Sequence, residues 1–279
     1  MSLRQAALAA AVSFVALHAG ASAASALESF TLENVRAPLE KGEGELVFKR
    51  VEIVDTNLTR AEIDRLFAAQ VDAKERGDIL ARMQAKRVAI PEVVMTKTGP
   101  EKGSMTLRDY VVENLDGAKF SRLAVGGLDG SFTSKEGGQG EIASGPLVVE
   151  DADFTGLVRA AKAGDVSDGT MKVGGLAWSG FRMSVPDSDV SAKAAGGNLH
   201  TVRVDSVESR TSYDGDAPTK AAAKISGVVF QPAPSSEAAR ALKGFGFEKV
   251  DMGLTFAGDY DPAAKTFTLT DYTLSGVDA

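Results

Sequence analysis

The strongest constraint on this chain is an alternation of apolar and polar residues that keeps reversing phase. Val250, Met252, Leu254 and Phe256 alternate with polar or small residues, the period-two pattern of a half-buried strand. From Met171 to Val185 the alternation comes in three pieces. Met171 and Val173 share one phase, Leu176 and Trp178 take the other, and Phe181, Met183 and Val185 return to the first. Glycines stand at both reversals, Gly174-Gly175 and Gly180. A one-residue slip turns every later side chain to the opposite face. Glycine at such a slip suits a β-bulge or a sharp bend. The segment therefore reads as one bent or bulged strand, or as two strands meeting at a tight corner.

The same reversal recurs around Asp and Asn. Thr31-Leu32-Glu33-Asn34-Val35, Thr106-Leu107-Arg108-Asp109-Tyr110 and Thr268-Leu269-Thr270-Asp271-Tyr272 share the form T-L-x-[DN]-apolar. In each the phase flips at the Asp or Asn, residues that tolerate a left-handed backbone and hydrogen-bond nearby amides. A further pattern runs from Gly44-Glu45 to Asp55-Thr56-Asn57-Leu58-Thr59, and at equal spacing from Gly140-Glu141 to Asp151-Ala152-Asp153-Phe154-Thr155. Recurrence of this kind predicts repeated β units.

Short helices interrupt the strands. Thr59 with Glu62 three residues on forms a capping box, and Leu58 can staple onto Ile63. Ile63, Leu66, Phe67 and Val71 then define one apolar face. Its charges are mixed, including Glu62 and Asp64, so packing on a sheet is expected rather than binding to a membrane surface. A second helix is expected from Ile79 to about Lys86, after a break at Gly77 and with Asp78 as its cap. Thr155 should cap a third, with Gly164 past its end. A fourth is expected from Ser236 to Lys243, with Pro234 before it and Gly244 as its stop. Asp261-Pro262 suits a type I turn between the last two strands.

These signals predict a mainly β fold: antiparallel, bent and meandering strands in repeated units, with a few short helices. The loosest stretches are Gly127 to Gly140 and Asp187 to Gly197. The second suggests a boundary between an N-terminal module, 27–190, and a C-terminal one, 191–279. The chain ends at Ala279 directly after an alternating strand, so that strand either is terminal or belongs to a truncated C-terminal module, the second being the expectation.

Residues 1–26 form a separate object. Arg4 gives a positive start, Ala6 to Leu17 is an apolar run of 12 residues, and Ala21-Ser22-Ala23 or Ala24-Ser25-Ala26 offers a cleavage site. This is the pattern of a secretory signal peptide, cleaved after Ala23 or Ala26. The run is shorter than the ~20 residues that a spanning helix needs. The expectation is a periplasmic or secreted protein with no transmembrane span in its mature chain. Removing Arg4 takes the net charge from -7 to -8, which argues against a nucleic-acid partner. Hydrophobic residues at 44% and charged residues at 25% fit a globular chain rather than a disordered one.

Candidate chemistry is sparse. The chain has no cysteine and two histidines, His18 and His200. Thiolate catalysis and multi-histidine metal sites are thereby excluded within one chain. His18 leaves with the leader. His200 precedes Val202 and Val204 and reads as a surface or edge residue more readily than as a general base. Asp151/Asp153, Asp187/Asp189, Asp214/Asp216 and Asp259/Asp261 are D-x-D pairs, but none continues into a calcium loop. No nucleophile elbow, zincin or P-loop motif is present. Gly126-Gly127 and Gly137-Gly138 read as turns. Trp178, the single tryptophan, reads as a core anchor, with a ligand-stacking platform as the alternative. Glycosidase-type carboxylates are a matter of spatial separation, and the sequence selects no pair. No catalytic, cofactor-binding or metal-binding residue is assigned.

The segment FGFEKVDMGLTFAGDYDPAAKTFTLTDYTLSGV, Phe245 to Val277, resembles exported alphaproteobacterial proteins of unknown function. So does LTRAEIDRLF…ILARMQAKRVAIPEV, from Leu58 to Val93. The resemblance covers about a quarter of the chain; it implies export and a repetitive β build and transfers no site. The expected function is a non-enzymatic envelope scaffold binding lipid, glycan or protein, because bent sheets create apolar grooves. A carboxylate-based hydrolase and a purely structural or adhesive protein are the alternatives. The first needs two buried carboxylates facing one cleft.

Overall fold

The computed structural model describes residues 27–39, 43–68, 71, 73–99, 102–134, 138–156, 158, 171–187, 198–261 and 263–276. The expected leader with both cleavage sites, most of the stretch after Asp187, and residues 277–279 lie outside them. The fold is mostly antiparallel β. The strands are β1 (Glu28–Pro38), β2 (Gly44–Thr56), β3 (Gln84–Lys97), β4 (Gly103–Asp116), β5 (Lys119–Val125), β6 (Gly127–Thr133) and β7 (Gln139–Ser144). They continue as β8 (Leu147–Asp153), β9 (Lys172–Pro186), β10 (Leu199–Asp214), β11 (Ala217–Gln231), β12 (Val250–Asp261) and β13 (Thr266–Ser275). The helices are α1 (Arg60–Phe67), α2 (Ala73–Ala81) and α3 (Glu237–Gly244). Among the described residues no helix is long and apolar enough to cross a membrane.

The residues cluster into two compact units. The first takes in the chain up to Met95, Arg108–Val125 and Val149–Val173; the second takes in Thr96–Leu107, Gly126–Val148 and the chain from Gly174 on. In the first unit the strands run β1-β2-β3-β4-β5-β8. Its core is apolar: Val51, Leu58, Ile63, Met83, Val88 and Ile90 are fully buried. Phe48 meets Phe67 edge-on at 5.4 Å, and Phe120 meets Phe154 at 5.5 Å, a geometry favoured by the ring quadrupoles.

The capping box forms as the sequence requires. The Glu62 N–H donates to Thr59 Oγ1 and the Thr59 N–H donates to Glu62 Oε2. Leu58 and Ile63 are both buried, as the staple demands. Arg82 also donates to Glu62 Oε1. Partial burial works against ionisation of Glu62, but the Thr59 N–H, the Arg82 guanidinium and the Thr59 hydroxyl outweigh it and hold the carboxyl below its ordinary pKa. The second expected helix is misplaced by the sequence reading. α2 starts at Ala73, runs through Gly77 and ends at Ala81, and β3 begins at Gln84. Gly77 costs helix propensity, ~1 kcal/mol against Ala, which the burial of Ile79, Leu80 and Ala81 offsets. Thr155 is the first helical residue rather than the cap: the Phe154 carbonyl accepts from the Val158 N–H, and Asp153 Oδ1 accepts from the Thr155 N–H; residues 157 and 159–170 lie outside the described residues. The expected loose stretch from Gly127 is instead the β6–β7 hairpin, paired from Leu128↔Ser144 to Thr133↔Gln139.

The phase reversals have visible backbone causes. Asn34 and Asp109 are left-handed, at φ 52° and 51°. Asp55 and Asp151, at equal distances from their opening glycines, are left-handed too. In β13 the reversal is made differently. Ala257 pairs with Asp271 and Gly258 with Leu269, so Thr270 is an extra residue on the strand. β9 is one strand, and its second reversal coincides with Gly180 at φ 65°.

Candidate functional site

Among the described residues the second unit buries far fewer apolar side chains than the first, Met105, Ala233 and Ala239 being the buried hydrophobic residues there. Its strands run β7-β9-β10-β11-β12-β13, with β6 beside β7. Residues directly opposite in an antiparallel pair share a face, so the registers define what each face carries. One row reads Trp178–Val207–Ile225–Leu254–Leu274 across five strands. A second reads Leu176–Ser209–Ala223–Phe256–Tyr272. A third reads Ile142–Met183–Val202–Phe230–Val250. The rows lie on one face: the Trp178 and Phe181 rings meet at 4.9 Å, and Phe181 shares its side with Met183 by strand period.

That continuity depends on an extra residue in three neighbouring strands at one level. Val204 pairs with Phe181 and Ser206 with Ser179, so Asp205 stands opposite Gly180. On the other side Asp205 stands opposite Gly227, at φ 58°. In β11 the extra residue appears as a bulge against β12, between Ile225 and Val228. Trp178 and Phe181, Val204 and Val207, and Ile225 and Val228 thereby all turn to the same side.

None of the side chains in these rows is fully buried. Most are half-buried, Leu274 is 61% exposed and Tyr272 59%. At one end the face is closed by the segment after β11. Ala233 and Ala239 are buried there, and Ser236 caps α3 by accepting from the Ala239 N–H. The Trp178 indole N–H donates to Ser144 Oγ at 2.6 Å. Trp178 is therefore a half-open wall of an apolar face, between the core anchor and the stacking platform that the sequence allows.

His200 sits on β10, between β9 and β11, not at a sheet edge. Its Nδ1 accepts from the Ala233 N–H at 3.2 Å. In the neutral ring the proton is then on Nε2, which faces Asp187 Oδ1 at 3.5 Å. The ring also stacks on Phe230 at 6.0 Å. The Asp187 carboxylate is 8% exposed and accepts from the Asn198 side-chain amide. Both imidazole nitrogens are engaged in holding strands and the loop before α3 together, which leaves none for a substrate.

A polar cleft of about 540 Å³ lies on the β6–β7–β9 part of the same unit, lined by Asp129, Glu141 and Arg182 with Ser104, Thr106 and Ser184. Glu141 is exposed and Asp129 half-buried. Elsewhere the D-x-D aspartates do local work. Asp153 accepts from Thr155 and faces Lys119 at 3.3 Å; Asp261 Oδ1 accepts from the Ala263 and Ala264 N–H groups of the last turn. Among the described residues no group of three or more acidic or histidine side chains could hold a metal ion.

The sequence shows Trp178 and the alternating strands but misses the rows, because cross-strand register is needed to join them. No protein-family model, no curated protein and no solved structure matches the chain.

Proposed function

We propose that the protein is an exported, non-enzymatic β scaffold whose second unit holds a lipid acyl chain against its apolar face. The observation that carries this reading is the set of three apolar rows, continuous across β9–β12 and left half-open. A monomeric soluble chain rarely leaves an apolar patch of this extent open unless something binds it. Four inter-strand steps of ~4.8 Å make the Trp178–Leu274 row ~19 Å long. One leaflet of a ~30 Å hydrocarbon core is about 15 Å deep, so an extended acyl chain fits the row. The leader-like residues 1–26 support delivery to an envelope, where such ligands are plentiful, and the recurring bends support a repetitive build.

The single tryptophan makes the test direct. Phospholipid brominated on its acyl chain should quench Trp178 emission saturably, and Val207→Asp, beside Trp178 in the same row, should abolish the quenching while the protein stays folded. Native mass spectrometry should show a co-purified lipid mass that the variant lacks. Saturable lipid binding without quenching would place the ligand elsewhere. Binding of glycan or protein in place of lipid would overturn the acyl-chain reading outright.

A further inference from the structure

We propose that His200 is a proton-operated clasp: neutral, it holds the segment after β11 over one end of the apolar face, and protonated, it lets that segment go. The segment, residues 232–236, leads from β11 into α3. Pro232 and Pro234 have no N–H, so Ala233 supplies the one backbone donor between Gln231 and Ser235. That donor is buried, Ala233 being 0% exposed, and its acceptor is His200 Nδ1 at 3.2 Å. The bonds continue from there into the helix. The Ala233 carbonyl accepts from the Ser236 N–H, and Ser236 Oγ caps α3. A second side chain, just before β10, holds the same segment. Asn198 Oδ1 accepts from the Ser235 N–H at 3.3 Å, and its amide donates to Asp187 Oδ2 at 3.0 Å.

The nitrogen that takes up the proton is the one the segment depends on. Nε2 already carries its hydrogen toward Asp187 Oδ1 at 3.5 Å, so the added proton goes to Nδ1. An imidazolium is a donor at both nitrogens, and Nδ1–H then faces the Ala233 N–H donor to donor. The two repel, and a buried amide loses its acceptor. Asp187 favours the charged ring. Its carboxylate is 8% exposed, and it gains an imidazolium where it now meets a neutral ring. The two effects fall on opposite sides of one side chain: charge is stabilised beside Asp187, and the closed segment is penalised at Ala233. Imidazole changes charge between pH 5 and 8, and this side chain is 25% exposed, within reach of solvent protons. Of the elements packed against the ring, β9 offers Val185 and β11 offers Phe230, neither titratable. The charged residues of α3, Glu237, Arg240 and Lys243, are exposed, and Arg240 Nη1 donates to the Ser235 carbonyl at 2.8 Å. Protonation thus frees residues 232–236 and opens the His200–Phe230 end of the apolar face. The release is the same whatever that face binds, and it does not rest on the acyl-chain reading.

Amide exchange of the whole chain, followed by mass spectrometry, tests this without any ligand. The peptides that matter cover the segment and α3, with the β10–β11 hairpin of the same unit as internal reference. Between about pH 8 and about pH 5.5, the range over which imidazole titrates, exchange is corrected for its intrinsic pH dependence. Protection of Ala233 and of the amides from Ser235 to Ala239 should fall about tenfold relative to the hairpin, the loss expected when a buried donor is left unsatisfied. His200→Asn keeps an acceptor at the Nδ1 position but cannot become charged, and should hold the segment closed at both pH values. His200→Phe keeps an aromatic ring against Phe230 but has no acceptor. It should leave the segment as unprotected at the higher pH as the parent is at the lower. Unchanged relative protection in the parent overturns the proposal. So does a His200→Asn variant that opens on acidification as the parent does. Should His200→Phe fail to fold, the parent and His200→Asn decide the question between them.

Discussion

Gly227→Ala tests the mechanism that keeps the apolar rows on one face. Gly227 has φ 58°, and a Cβ there would run into the Asp205 carboxylate, with Asp205 Cβ itself 2.9 Å away. Gly215, in the turn between β10 and β11, has nearly the same φ, 57°, and open space around it. A left-handed alanine costs ~1–2 kcal/mol for backbone reasons alone, so Gly215→Ala should lose that much. Gly227→Ala adds the displacement of Asp205 from its rotamer, ~1 kcal/mol. It also loosens the 3.1 Å Arg203–Asp205 pair, whose side chains are each 55% exposed and which is therefore worth little. The sum is ~2–3 kcal/mol for Gly227→Ala. Adding Asp205→Ala removes the carboxylate but leaves the Cβ at 2.9 Å, so it should recover only part of the excess over Gly215→Ala, a coupling of under ~1 kcal/mol. Urea unfolding followed by Trp178 emission reads the second unit directly, since the only tryptophan lies there. Equal midpoints for the two glycine variants, or a double variant no better than Gly227→Ala, would refute the crowding argument. A costless Gly215→Ala would refute the backbone one.

Other outcomes follow from the first unit. Leu58→Ala removes a side chain that is 1% exposed and should cost ~2–5 kcal/mol, measured by chemical denaturation. Thr59→Ala breaks the capping box and should cost ~0.5–2 kcal/mol, with amide exchange accelerating in α1 ahead of β2. Glu62 and Asp153 are both held below the ordinary carboxylate pKa. At Asp153 partial burial opposes ionisation, and the Thr155 hydroxyl and N–H with the Lys119 ammonium overcome it. Groups depressed on folding contribute stability above their unfolded pKa of ~4, lost as pH falls through the folded value. Stability should therefore fall on acidification below about pH 5, and Glu62→Gln or Asp153→Asn should flatten that acid limb. A limb as steep in the double variant as in the parent would show that other groups govern it.

Much of the strand content was legible because its signal is local. The reversals at Asn34, Asp109 and Gly180 announce themselves in phase, and the box at Thr59 and Glu62 in spacing. The sequence misplaces α2 because Gly77 looks like a stop, and only the burial of Ile79 to Ala81 shows why the helix runs through it. The position of His200 between two strands was hidden for a related reason: an interior strand with one half-open face alternates just as an edge strand does. The rows from β9 to β13 were illegible as a set, since joining Trp178 to Leu274 takes four registers, and each is fixed by contacts far apart in sequence.

The shared level of the extra residue in β9, β10 and β11 has a consequence for inheritance. Deleting Gly180 alone would swing Phe181, Met183 and Val185 to the polar side, while Val202 and Phe230 stayed where they are. The frame of one strand is thus tied to the frames of its neighbours. A lineage can lose the crease by losing one residue from all three strands together, or keep it in all three, but a single deletion is penalised whichever strand it strikes. Insertions and deletions in relatives of this chain should therefore fall in the turns, at Asp214–Ala217 and Asp261–Thr266, and spare the strands between them.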